Sequence, residues 1–279
     1  MSDILEAVIL GIVQGLTEFL PISSTGHLIL TEKALGISQD DFGLRFDVAI
    51  HLGTLAAVLL YFRTTLLRLI VAWFDSLRSR RWDVSRNSRL AWLLILGTIP
   101  AGIAGYLLES TAEDAFRSPA LVGAMLILFC IPMVVAERLG SQRRNLDSAT
   151  PRDALVQGVA QSIALIPGVS RSGITISAGM LNGLRREEAA TFAFLLSAPI
   201  IAAAGGKQIY DVLRGEAGST GLQNEFAIYA AGLIAAGIVG YAAVAFLLRY
   251  LRVNTLRVFI IYRLVVGSLV LALAAAGVL

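Results

Sequence analysis

The chain has 279 residues, 56% of them hydrophobic and 15% charged, with a formal net charge of +3. Soluble domains carry about 25% charged residues, so this composition, with a mean hydropathy of +0.74, excludes an ordinary soluble globule and calls for an integral membrane protein. The basic excess is nearly all arginine and reads as a topology signal, with no nucleic-acid partner expected; the single cysteine, Cys130, excludes an internal disulfide and any CxxC site.

Apolar runs of about 20 residues, without ten-residue alternation, select helices over a β-barrel. The opening stretch MSDILEAVILGIVQGLTEF has no basic leader region and is expected to stay in the folded protein. Residues 4–30 are apolar but interrupted by Pro21 and the cluster Ser23, Ser24, Thr25 and His27. Candidate spans follow at 47–63, 90–108 and 118–137. Residues 153–180 are interrupted in turn by Pro167, Gly168 and hydroxyls around Arg171, and spans follow at 190–210, 226–248 and 258–278. Proline with glycine stops a helix and frees backbone groups that need partners. The two interrupted segments are therefore expected to be re-entrant hairpins, with eight full spans as the alternative.

Arginines fill the loop 63–89, the loop 138–152 and the loop 249–257, whereas Glu109, Glu113 and Asp114 mark an acidic loop. The positive-inside rule puts the first three in the cytoplasm and both termini outside. The expected fold is an all-α polytopic membrane protein, six transmembrane helices plus two re-entrant helical hairpins in two inverted-topology repeats. The chain is one membrane domain, with repeat one at 1–140 and repeat two at 151–279.

The repeat is legible in QGLTEFLPISSTGHLI and QGVAQSIALIPGVSRSGITI. Each begins with Gln-Gly, Gln14-Gly15 and Gln157-Gly158, carries a polar residue four positions after the Gln (Glu18 and Gln161), and runs into a proline and a hydroxyl-rich loop. Three spans per repeat force the second copy to be inverted, so the hairpins enter from opposite faces and can meet at mid-membrane. The i, i+4 spacing of Gln14 and Glu18 puts both on one helix face.

A charged residue at a helix centre in lipid costs about 2.5–3.5 kcal/mol on insertion scales. Glu18 and Arg171 therefore need pairing or a polar cavity. Hydroxyls, amides at a broken helix start and an arginine fork describe an anion site, with phosphate the best fit. A carboxylate beside an anion points to an intervening divalent cation such as Mg²⁺.

The motifs QGLTEFLPISSTGH and PGVSRSGIT, and FIIYRLVVG near the end, resemble the undecaprenyl-diphosphate phosphatases of the bacitracin-resistance type over nearly the whole chain. The resemblance implies bacterial inner-membrane enzymes that release inorganic phosphate from undecaprenyl diphosphate, with a periplasmic site. It implies Ser24 as nucleophile and Arg171 as phosphate-binding residue, with Glu18 and His27 in the catalytic set and Ser23, Thr25, Gly168, Ser170, Ser172 and Thr175 on the substrate. The metal, Mg²⁺ or Ca²⁺, falls to Glu18 and Gln14. Many relatives have Glu where this chain has Gln14, which leaves a single-carboxylate site completed by diphosphate oxygens. The implied partners are a polyprenyl diphosphate and membrane lipids, with a homodimer left open.

His51, in DVAIHLGTL, matches no motif and is read as structural. Broken helices in inverted repeats are also a mark of secondary transporters, so a lipid-phosphate or anion translocator, or a flippase, is the rival function. A non-catalytic scaffold would leave Glu18, Arg171 and the hydroxyls unexplained. The lipid phosphatases that use two histidines are disfavoured, because no second histidine lies in a hydroxyl-rich motif.

Overall fold

The computed structural model describes residues 3–37, 39–115, 118–214 and 225–279, and they are helical with no strand among them. In chain order the helices are α1 (Asp3–Phe19), α2 (Ser24–Leu35), α3 (Gln39–Tyr61), α4 (Arg63–Ser79), α5 (Arg86–Ala115), α6 (Pro119–Leu128), α7 (Cys130–Leu139), α8 (Pro151–Ile163), α9 (Arg171–Leu181), α10 (Arg186–Leu213), α11 (Glu225–Leu251) and α12 (Arg257–Ala275). Five stretches among the described residues are long and apolar enough to cross a membrane: Arg86–Leu107, Pro119–Leu139, Arg186–Lys207, Glu225–Leu251 and Arg257–Ala275. A sixth exists if α3 and α4, bent by 78° at Phe62, count as one. Such a chain is a multi-pass membrane protein, and its exposed Leu60, Leu107, Ile131, Ile238 and Val265 suit a lipid-facing surface.

Two expected loops are helical instead. The arginine-rich stretch after residue 62 forms α4, because Leu66, Leu69, Ile70, Trp73 and Leu77 recur at helical spacing between the arginines. Leu69 is buried while Leu67, Ile70, Val71 and Phe74 stay exposed, so α4 is amphipathic along one face. The acidic stretch is also not a loop, since the α5 backbone runs through Glu109, Glu113 and Asp114 to Ala115; the side chains there lie outside the described residues.

Both interrupted segments resolve into helix pairs. α1 and α2 are separated by residues 20–23, and α8 and α9 by residues 164–170. Each second helix is preceded by a serine with positive φ: Ser23 at φ 77°, ψ 103°, and Ser170 at φ 74°, ψ 108°. Side chains other than glycine rarely adopt this region, at about 1–3 kcal/mol each. The same uncommon conformation at the same point of both pairs is independent of the sequence match that suggested a repeat.

The pairs exchange partners. α1 packs along α11, and α8 packs along α5. Gly15 makes the first contact possible, since a Cβ there would lie 2.6 Å from the Ala236 carbonyl oxygen; Gly97 makes the second, where a Cβ would lie 2.9 Å from the Ala154 oxygen. Close backbone approach through small residues is how helices associate where no water drives them together. Gly158, of the second Gln-Gly motif, faces Gly97 across that contact, so in both motifs the glycine sets the packing. A core built on Phe19, Phe192, Phe194, Leu195 and Leu196 fills the space between the pairs, with Phe19 edge-on to Phe194 at 5.4 Å between centroids.

Candidate active site

Pro21 ends α1 and Ser24 starts α2; Gly168, at φ 92°, closes the other turn and Arg171 starts α9. Both new helices begin at one polar cavity of about 30 Å³. The first pair supplies Glu18, Ser23, Ser24 and Thr25 to its wall, and the second supplies Pro167, Gly168, Ser170 and Arg171. Helix starts carry unpaired N–H groups and the positive end of the helix dipole, which favour an anion there.

In the cavity wall the Ser24 hydroxyl donates to Glu18 Oε2 at 2.7 Å, and Gln14, fully buried and outside that wall, donates from Nε2 to the same oxygen at 3.1 Å. The other carboxylate oxygen, Oε1, stands 3.6 Å from Arg171 Nη1. That guanidinium nitrogen is buried and has no hydrogen-bond partner, and neither has Gln14 Oε1. Orphaned buried groups of this kind call for a ligand, since each costs about 1–3 kcal/mol when left unmade. One orphan is a cationic donor that suits an oxyanion. The other is a neutral oxygen beside a carboxylate, and the two together fit two ligands of a hard divalent cation whose other positions would be substrate and water oxygens. Among the described residues no cluster of three or more His, Cys, Asp or Glu could form an all-protein metal cage.

Three expected site residues are engaged elsewhere. His27 is outside the cavity wall: its Nδ1 lies 2.7 Å from the Ser23 carbonyl, its Nε2 2.7 Å from the Tyr262 hydroxyl, and its ring stacks on that tyrosine. With both nitrogens occupied it braces the Ser23 turn, and Glu18 is the group bonded to Ser24. Ser172 donates to the Leu20 carbonyl at 3.0 Å, tying the second pair to the first, and Thr175 donates back to the Arg171 carbonyl at 2.7 Å within its own helix. Ser170 reaches the cavity, and its hydroxyl also caps α9 by accepting from the Gly173 amide at 3.1 Å.

His51, read as structural, lines the cavity, with Nε2 3.9 Å from Glu18 Oε2 and Nδ1 held at 2.6 Å by the Asp47 carbonyl. The signal was available: a lone histidine inside an apolar span is an intramembrane ionisable group, as Glu18 is. His51 and Arg171 also border a second cavity of about 240 Å³ between α3 and α10, whose other walls include Val48, Leu52, Ile200, Ile201 and Ala204. A polar recess thus adjoins an apolar one, a geometry for an amphiphile with a charged head.

Residues 7–269 match the family model described as Bacitracin resistance protein BacA. The chain belongs to the BacA family. Relatives span its full length: an undecaprenyl-diphosphatase of Rubrobacter xylanophilus is 47% identical over 98% of this chain and 99% of its own. Undecaprenyl-diphosphatase 2 of Stutzerimonas stutzeri is 45% identical over 97% and 98%, and an undecaprenyl-diphosphatase of Chloroherpeton thalassium 41% over 99% and 98%. For a BacA-family chain, the meeting of the two helix starts is the feature that needs a chemical account.

Proposed function

We propose that the protein is a metal-dependent undecaprenyl-diphosphate phosphatase of the bacterial inner membrane. It converts undecaprenyl diphosphate into undecaprenyl phosphate and inorganic phosphate, recycling the lipid carrier of peptidoglycan synthesis and conferring bacitracin resistance. The observation that carries this reading is the buried Nη1 of Arg171, paired with Glu18 at 3.6 Å but without a hydrogen bond, in one cavity with a serine hydroxyl already bonded to that carboxylate. The names of the full-length relatives supply the substrate.

The architecture in this reading is six crossings and two re-entrant hairpins in inverted repeats at 1–140 and 151–279. The matched backbones of Ser23 and Ser170 and the exchanged packing of α1 and α8 support it. The site faces the periplasm, and the prenyl chain lies toward the apolar recess between α3 and α10.

Phosphoryl transfer asks a protein mainly for positioning and charge stabilisation. Ser24 Oγ attacks the terminal phosphorus, and its proton passes to Glu18 Oε2 along the 2.7 Å hydrogen bond. The bond from that phosphorus to the bridging oxygen breaks, and this oxygen leaves on undecaprenyl phosphate. Arg171 Nη1 takes up charge on the transferring phosphoryl oxygens, and the first amides of α2 and α9 add to it. Glu18 gives the proton taken from Ser24 to the departing undecaprenyl phosphate and is again a carboxylate; it then takes a proton from the attacking water, which displaces phosphate from Ser24, and returns that proton to Ser24 Oγ. Glu18 and Gln14 Oε1 would hold Mg²⁺ or Ca²⁺, which when bound neutralises diphosphate oxygens. A cavity of about 30 Å³ has room for about one water, so side chains of its wall move aside to admit the head group while the two turns keep their separation.

The deciding experiment is phosphate release from undecaprenyl diphosphate by the purified protein in detergent, with and without EDTA, beside Ser24→Ala and Arg171→Ala. Release that EDTA abolishes and both variants lack is the expected result. Substrate movement across vesicles without release would replace the phosphatase with a translocator.

A further inference from the structure

Arg263, in α12, is fully buried, and its guanidinium donates to four backbone carbonyls. Two belong to α6: Leu126 O accepts from Nε at 3.1 Å and Met125 O from Nη2 at 3.2 Å. The other two are Pro21 O, 3.4 Å from Nη1, and Gly168 O, 3.0 Å from Nη2. Each of these carbonyls lies two residues before a positive-φ serine, Pro21 before Ser23 and Gly168 before Ser170. The residues that follow those serines are Ser24 and Arg171.

We propose that Arg263 is the positioning residue that sets the separation of Ser24 from Arg171, by holding the turns of both helix pairs on one planar fork. A guanidinium presents five N–H groups in a rigid plane, and it stays charged when buried, so it can bond several carbonyls at fixed mutual angles where a flexible ammonium cannot. Its bonds to α6 anchor the fork to a helix that belongs to neither pair. The uncommon φ of each serine is then held from outside the turn by the neighbouring carbonyl. Ser172, bonded to Leu20 O at 3.0 Å, is a second and weaker tie between the same turns. This role rests on the phosphatase reading, because it assigns Arg263 to the geometry of that reaction.

The test is Arg263→Lys in the full-length protein, with kcat and KM for undecaprenyl diphosphate measured beside amide hydrogen exchange. The expected result is a kcat at least about 100-fold lower with KM changed less than about threefold. Exchange protection should fall at residues 22–25 and 169–172 together, while α3 and α11 keep theirs. Wild-type kcat, or protection lost at one turn only, overturns the proposal. A wild-type protein that releases no phosphate overturns the phosphatase reading instead, and the exchange result still decides whether Arg263 couples the turns. Should Arg263→Lys not fold, Gly168→Ala takes its place. A Cβ there would stand 2.8 Å from both Val122 O and Met125 Cβ, displacing the Gly168 carbonyl with Arg263 intact. Exchange at residues 22–25, in the other repeat, should then rise more than it does in Ser172→Ala. No change there refutes the coupling.

Discussion

In the first helix pair the residue after the positive-φ serine is Ser24, and Glu18 stands in the helix before it; in the second pair Arg171 follows the serine, and Gln161 stands in the helix before it. The two serines share a backbone conformation while the chemistry divides, acid and hydroxyl on one side and cation on the other. The surroundings divide too. α8 starts from a capping box, in which Thr150 and Asp153 bond reciprocally, and Arg144 grips Asp153 at 2.7 and 3.0 Å. α9 is buried almost throughout, whereas α2 buries only Gly26, Leu28 and Ile29 and α1 opens with exposed Ile4 and Leu5. In the proposed mechanism the second pair presents a charge, and the first carries the attacking hydroxyl and its base. Gene duplication of one backbone is thus compatible with an asymmetric site.

Four substitutions would break or sharpen that division. The largest effect belongs to Ser24→Ala, for which phosphate release should fall about 10⁴-fold with the thermal midpoint unchanged. Arg171→Lys keeps the charge but loses the planar fork, and kcat should drop about 10²–10³-fold; equal activity in a steady-state assay would mean that the second pair contributes only charge. His27→Phe preserves the stack on Tyr262 and removes both ring hydrogen bonds, so about a tenfold loss is expected, through the Ser23 turn. Asp153→Ala should change kcat less than threefold but remove about 1–3 kcal/mol of stability by loss of the cap and the charged hydrogen bonds. A melting curve in detergent would show this as a fall on the order of 5 °C.

Much of this could be read from the residues alone. The places of the two interruptions follow from Pro21, Pro167 and Gly168, and the cavity's main members from the clustering of hydroxyls with two ionisable groups in apolar sequence. What stayed hidden depended on who faces whom. α4 was obscured because its arginines dominate the charge pattern over the leucines between them. His51 was set aside because its place comes from a contact between α1 and α3, and the position of His27 outside the cavity wall could not be foreseen because Tyr262 lies far away in sequence. Arg263 stands in the quoted stretch FIIYRLVVG, a charge within an apolar span, but its role was not legible, since its partners are backbone carbonyls, which carry no residue signature.

The exchange of packing between the pairs has a consequence for how the protein is made. α1 emerges first, with Gln14 and Glu18 on its face, yet the helix it rests against, α11, is not complete until residue 251 has been added. A carboxylate-bearing hairpin must therefore wait, during synthesis, without its final neighbour. It also follows that a chain divided between α7 and α8 would yield two fragments, each lacking the long helix on which the first helix of its own hairpin packs and each holding the one required by the other.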